Sequence, residues 1–386
     1  MDEQGYGMFI VHTTHVKTVP WRGGVVGCAQ PNRQTADRHG MCRLPGSAGL
    51  VLVVCACVGE PVSEPPTVID SPCDPALQTA CIDEAHGVFV RAAAPAVGSG
   101  SGSRGRPFGT LQAALEGRAD KPFVFVCAGR YEENVRLTDS AVTLVGSLDC
   151  GTFAPGSDRT QIAPASGYPL EVAGAARVSV IDVDLTASTG SRSSVAAWIH
   201  DGANVSLRGA RLASGRGADG VSMPERGACV SSAGRLDLEE PGAVVDGEWR
   251  PADAPDGEPT AACGGSGGMA GGASVGLLSR AATLALESVQ IATERGGHGG
   301  SGGDGAGHGG GGAGGASGIQ AGILWIGAGA LSWNGRTFAE SRSELAGIVL
   351  RDVVPTPGFG GAGGGNGGTP GRLGTVYAPL AIRRLP

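Results

Sequence analysis

Short runs of alternating apolar residues recur along the chain with nearly constant internal spacing. Leu170 and Val172 are followed by Val178, Val180, Val183 and Leu185. The same offsets give Ala197, Ile199, Val205, Leu207, Ala210 and Leu212, and then Gly276, Leu278, Leu284, Leu286, Val289 and Ile291. A weaker copy occupies Ala228, Val230, Leu236 and Leu238 before Pro241, and a last one runs from Ile323 and Trp325 through Leu331 and Trp333 to Phe338. Alternation with a period of two puts one set of side chains on one face of a strand. Small residues (Ala176, Ala203, Gly234, Ala282 and Gly329) separate the runs, so each unit predicts three strands joined by tight corners. The intervals between units lengthen from 186–196 to 292–322 while the units keep their spacing, as when loops are inserted at one corner of a stacked repeat. The predicted fold is all-β, a right-handed parallel β-helix with long glycine-rich loops. An antiparallel sandwich would instead show hairpin loops of about two to five residues.

Upstream, Gly105-Arg106-Pro107-Phe108-Gly109-Thr110-Leu111-Gln112-Ala113-Ala114-Leu115 predicts a short helix, with Thr110 as N-cap and Gly117 just past the end. Laid over the open end of a sheet, such a helix prevents edge pairing. A strand, Phe123–Cys127, and then Gly129-Arg130-Tyr131-Glu132-Glu133-Asn134-Val135 follow. This succession resembles the N-terminal cap and first coil of pectin-lyase-like β-helix proteins. In combination with Cys127, Cys150, the Gly-rich insertions and a lipobox-like Val54-Cys55-Ala56-Cys57, the chain is similar to Gly-rich bacterial lipoproteins of that type. The resemblance spans roughly residues 86–350 and implies a fold more than an activity, because such folds host many functions. Among the activities it implies are polysaccharide lyases and hydrolases. The lyases use calcium held by clustered carboxylates and a Lys or Arg base.

The best apolar run, Gly49–Cys57, is too short to span a bilayer, which needs about 20 residues. It fits a secretory segment behind Met41 and Arg43. Its end, Val54-Cys55-Ala56-Cys57, resembles a bacterial lipobox, which implies lipidation at Cys57 and a membrane anchor. An ordinary cleaved signal and a buried strand are the alternatives. The expected organisation is an upstream extension at 1–40, a lipoprotein signal at 41–57 and a Pro-rich, Cys-containing lead-in at 58–85. A strand domain then occupies 86–386. Six cysteines remain after Cys57: Cys73, Cys81, Cys127, Cys150, Cys229 and Cys263. Without CxxC spacing they suit disulfides of an oxidising compartment, and sequential pairing is the simplest of the fifteen connectivities that six cysteines allow.

Composition sharpens this picture. With 70 Gly and 24 Pro in 386 residues, a helix-rich fold is disfavoured, since each interior Gly costs about 1 kcal/mol. A charged fraction of 17% and a net charge of −7 argue against a nucleic-acid surface. Glycine concentrates in tracts at 263–273, 296–318 and 358–371. These are either floppy surface loops or tracts packed side by side in a polyglycine-II-like array, and their shared place in the repeat keeps the ordered reading open.

Candidate chemistry is sparse. Gly299–Gly307 matches a single calcium nonapeptide, whereas such sites need several consecutive copies. His298, Asp304 and His308 lie in flexible glycine, so no metal site and no cofactor are expected. Asp182, Asp184, Asp237, Glu239 and Glu240 alternate outward on strands and read as a solvated face. Trp325 and Trp333 occupy inward positions; Trp198 has outward parity and is the one candidate for stacking on a sugar. The expected function is a surface-anchored structural or adhesive lipoprotein of the outer membrane or cell surface, without catalytic activity. It is expected to be monomeric, membrane-bound through its lipid, and to meet extracellular polysaccharide or envelope proteins. A polysaccharide lyase, hydrolase or carbohydrate-binding protein is the alternative.

Overall fold

The structure, a computed structural model, describes residues 9–12, 15–18, 73, 75, 78–92, 100–189, 192–223, 242–245, 248–252, 256, 265–306, 310–351, 355–359, 362 and 369–385. Two units separate, residues 1–62 and 63–386. In the first, strand Phe9–His12 pairs antiparallel with His15–Thr18. The signal segment with Cys57, and Cys229 and Cys263, lie outside the described residues.

The second unit is built mainly from parallel strands, with Arg336–Phe338 antiparallel to Gln320–Trp333 and a separate antiparallel pair of Gly242–Val245 with Glu248–Pro251. The alternating runs produce the parallel ones where expected. Val178 pairs with Val205 and Val180 with Leu207; Leu207 pairs in turn with Leu286, and Leu286 with Trp333. Val180, Leu207 and Leu286 are at most 2% exposed and share one core. Leu185, Leu212, Ile291 and Ile348 form a second column on the smaller sheet. Single left-handed residues, Asp182, Gly209 and Ser288 with φ of 53–61°, turn each unit from the larger sheet into the smaller one.

The expectation of a right-handed parallel β-helix with three strands per coil is corrected by this pairing. The strands form a branched twelve-stranded sheet and a separate six-stranded sheet. The first two runs of a unit belong to the same sheet: Ser274–Glu287 and Gln320–Trp333 each continue through both as a single strand of 14 residues. The small residues at the expected corner make a register shift between Arg280 and Ala282 instead, with Ala281 at φ 50°. A bulge of this kind bends a ladder without ending it.

Register adds a further correction. Asn204–Arg208 pairs directly with Thr283–Glu287, and the weak copy at 228–238 lies outside the described residues. An upstream turn, with Val142 and Leu144 paired to Val178 and Val180, joins the stack. In the fourth unit, Leu277 and Ser279, not Gly276 and Leu278, align with Ala197 and Ile199. That unit has one residue fewer before its second run, and a one-residue slip moves every side chain to the other face. Ser279 is therefore fully buried among apolar neighbours, and its Oγ has no hydrogen-bond partner among the described residues. Ser279→Ala is expected to raise stability by about 1 kcal/mol, read from the urea midpoint, because it removes a desolvated hydroxyl.

The short helix forms at Leu111–Gly117 with Thr110 as N-cap, its Oγ1 accepting the Ala113 N–H at 3.2 Å. It ends differently from expectation. Gly117 is its last residue and Ala119 takes the positive φ. Glycine is needed at 117 because a Cβ would lie 2.5 Å from the Phe108 ring. The Glu133 carboxylate completes the helix start, accepting the N–H groups of Leu111 at 2.7 Å and Gln112 at 3.0 Å. Tyr131, two residues earlier, is buried and its hydroxyl donates to the Cys127 carbonyl at 3.0 Å. The Gly-x-Tyr-x-Glu pattern thus serves packing and capping. Glu133→Ala is expected to lower stability by about 1–3 kcal/mol, with partial rescue by Glu133→Gln, since two helix N–H groups lose their acceptor.

Disulfides join Cys73 to Cys81 and Cys127 to Cys150, two of the three sequential pairs. Both cystines border an outer aromatic cluster of Phe89, Phe123, Phe125 and Phe153, with Cys81 in the turn before it and Cys127 within it. Among the described residues no helix is long and apolar enough to cross a membrane.

Candidate functional site: a bundle of glycine tracts

The glycine-rich segments leave the ends of the smaller-sheet strands and return to the starts of the larger-sheet strands. Six stretches lie together: 215–223, 265–273, 295–306, 310–318, 355–359 with 362, and 369–376. They are ordered by backbone hydrogen bonds at every third residue. Gly265, Gly268 and Gly271 donate to the carbonyls of Gly310, Ala313 and Ala316 at 2.8–2.9 Å. Gly297, Gly300 and Gly303 donate to Gly272, Met269 and Ser266, and Gly312, Gly315 and Gly318 donate to Gly303, Gly300 and Gly297. The first set runs parallel and the other two antiparallel, so successive tracts alternate in direction. A period of three is that of a polyproline-II-type helix, which has no internal hydrogen bonds and must find partners outside itself.

None of the described glycines in these six stretches has a positive φ. Crowding, not backbone conformation, demands glycine here. A Cβ at Gly272 would lie 1.6 Å from the Arg192 carbonyl oxygen, at Gly358 1.8 Å from that of Gly300, and at Gly315 2.0 Å from that of Met269. The tracts are therefore a close-packed backbone lattice, and the floppy-loop alternative does not describe them.

Side chains finish the lattice where glycine stops, again at every third position. Asp219 accepts the His298 N–H at 2.8 Å, and Ser222 accepts that of Ser301 at 3.0 Å. One tract further on, His298 Nδ1 accepts the Thr356 N–H at 2.9 Å and Asp304 accepts that of Ala362 at 2.6 Å. Burial raises the pKa of Asp219, but the His298 N–H with Arg216 and Arg295 outweighs it and holds the carboxyl below its ordinary range. His298 and Asp304 are thus acceptors for backbone N–H groups, and no metal-binding group of three is found among the described residues. His308 lies outside them. The spacing Arg216/Asp219/Ser222 and His298/Ser301/Asp304 was a legible signal for this edge.

The other candidates are bound up in local structure. Trp198 is 3% exposed, with the His200 ring stacked at 3.8 Å and Tyr168 at 5.3 Å. That corrects the expectation of sugar stacking: outward parity does not leave a free face here, because Trp198 belongs to an outer apolar cluster with Leu278 and Leu324. His200, itself buried, reaches Asp201 at 2.8 Å and Glu171 at 3.2 Å. Hydrogen bonds from His200 and Arg280 hold the Asp201 carboxyl below its usual value. Its stabilising effect is therefore present at neutral pH and fades as the pH falls through the carboxylate range. Trp325 and Trp333 lie in the main core.

A cavity of about 190 Å³ is lined by Ile82, Val145, Leu148, Arg159, Ile181 and Asp182. Arg159 is held by Asp184 at 2.7 Å, Asp182 at 3.4 Å and the Gly209 carbonyl at 2.8 Å. The remaining expected carboxylates, Asp237, Glu239 and Glu240, lie outside the described residues. No family model, curated protein or solved structure matches this chain, and nothing among them identifies the pectin-lyase-like family.

Proposed function

We propose that this chain is a non-catalytic lipoprotein of the cell envelope, structural or adhesive, which presents an ordered glycine bundle on a scaffold of parallel sheets. The bundle is the observation that carries this reading. Fixing a residue's backbone opposes folding by about 1–2 kcal/mol, most for glycine, and each hydrogen bond returns only about 1 kcal/mol. A chain that orders so much glycine, and ends the lattice with Asp219, Ser222, His298 and Asp304, invests in a rigid surface rather than in a mobile loop over a cleft. The enzymatic alternative has the small cavity at Arg159 in its favour, but Asp182 and Asp184 there are engaged by Arg159 instead of converging on a substrate.

Two measurements test the reading. Incubation with pectate, alginate and chondroitin should release no unsaturated product, and calcium-dependent turnover of any of them overturns it. Cys57→Ala should shift the protein from the membrane to the soluble fraction; retention on membranes refutes lipidation at that residue.

A further inference from the structure

Among the described residues five large apolar side chains are exposed, and four of them fall between Val349 and Val376: Val349 at 54%, Phe359 at 72%, Leu373 at 61% and Val376 at 50%. The last two tracts of the bundle bring three of these together. Gly374 donates to the Gly358 carbonyl at 3.0 Å, so Phe359 and Leu373 flank a bonded pair on neighbouring antiparallel tracts. Val376 follows Leu373 by one three-residue turn. Phe359 is held on its other side as well, its carbonyl accepting the Gly302 N–H at 2.8 Å. Its ring is displayed on a fixed backbone, so little ordering entropy remains to be lost on binding.

Charge singles out the same segment. Residues 349–386 carry four arginines (Arg351, Arg372, Arg383 and Arg384) against one carboxylate, Asp352, in a chain whose net charge is −7. Arg372, next to Leu373, is exposed, as are Arg351 and Arg384. An exposed apolar cluster in a cationic segment of an acidic protein matches a lipid surface bearing phosphates. Apolar side chains enter the acyl boundary while arginines meet the headgroups. A soluble polyanion would satisfy the arginines but leave Phe359, Leu373 and Val376 in water.

We infer that the edge of the glycine bundle formed by Phe359, Leu373, Val376 and Arg372 docks onto an anionic lipid surface. This rests on the envelope reading above and adds a second membrane contact, independent of the lipid at Cys57. The test uses full-length Cys57→Ala protein, which has no acyl chain, and sedimentation with vesicles of phosphatidylcholine alone or with one-third phosphatidylglycerol. Binding is expected to the anionic vesicles only and to be reversed by high salt. Phe359→Ser with Leu373→Ser should weaken it by about tenfold or more, and Arg372→Ala by a smaller factor, with circular dichroism unchanged. Val221→Ser, an exposed apolar residue outside the cationic segment, should bind as the parent does. The inference is overturned by absence of binding to anionic vesicles, by equal binding to neutral ones, or by indifference to the Phe359 and Leu373 changes. Retention on dextran sulfate beads that ignores those two changes, without vesicle binding, would assign the surface to polyanions instead. Because the parent carries no lipid, these outcomes stand apart from whether Cys57 is acylated.

Discussion

Gly300→Ala is expected to open the glycine bundle while leaving the parallel sheets folded. The added Cβ would lie 2.1 Å from the Val221 carbonyl oxygen and 2.4 Å from its carbon. Gly300 also stands at a junction, its N–H donating to Met269 and its carbonyl accepting from Gly315, each at 2.8 Å. Both clashing atoms are backbone and cannot rotate away, so the tracts must separate. Forced overpacking costs about 1–3 kcal/mol, occasionally more. The bundle has little margin to absorb it, because ordering entropy and hydrogen bonding nearly offset one another there. Hydrogen exchange should show amides of 265–273, 295–306 and 310–318 losing protection while those of Arg177–Ile181 and Asn204–Arg208 keep theirs. Gly327→Ala supplies the contrast, since that glycine has φ +68° and nothing within 4 Å. It should cost only the left-handed penalty of about 1–2 kcal/mol and leave the bundle protected. Tract amides that exchange freely in the parent protein would refute the ordered lattice.

Leu207→Ala is expected to be the most destabilising single change in the sheets, by about 2–5 kcal/mol. Leu207 is fully buried and pairs with Val180 on one side and Leu286 on the other. Both neighbours are held by ladders of their own, so the vacated volume cannot collapse. Urea unfolding monitored by far-ultraviolet circular dichroism should show the midpoint fall at constant slope. Leu373→Ala, at 61% exposure, should move it by less than about 0.5 kcal/mol. Equal effects from the two would mean that the described core is not where the stability resides.

Strand existence was legible because alternation of apolar residues is a local property: Arg177–Ile181, Asn204–Arg208 and Phe123–Cys127 appear where the pattern puts them. The cap at Thr110 was equally local. Register was not. Whether Leu278 or Ser279 faces inward depends on one residue lost before the second run, and only pairing with Ile199 and Trp325 fixes the parity. Trp198 shows the same limit, since outward parity says nothing about the Tyr168 and His200 rings beside it.

By itself the amino-acid order determined that the described residues are mostly strands with very few helices, that those strands carry a common apolar face, and that spare glycine accumulates between the strand-bearing units. Tertiary structure alone decided that two runs merge into one continuous sheet and that the glycine tracts pack instead of waving. The physical reason is that alternation is written within a few residues, whereas a glycine has no side chain with which to announce a neighbour. Its partner is a carbonyl far along the chain, such as that of Gly310 for Gly265, and only the folded sheets bring those carbonyls within reach.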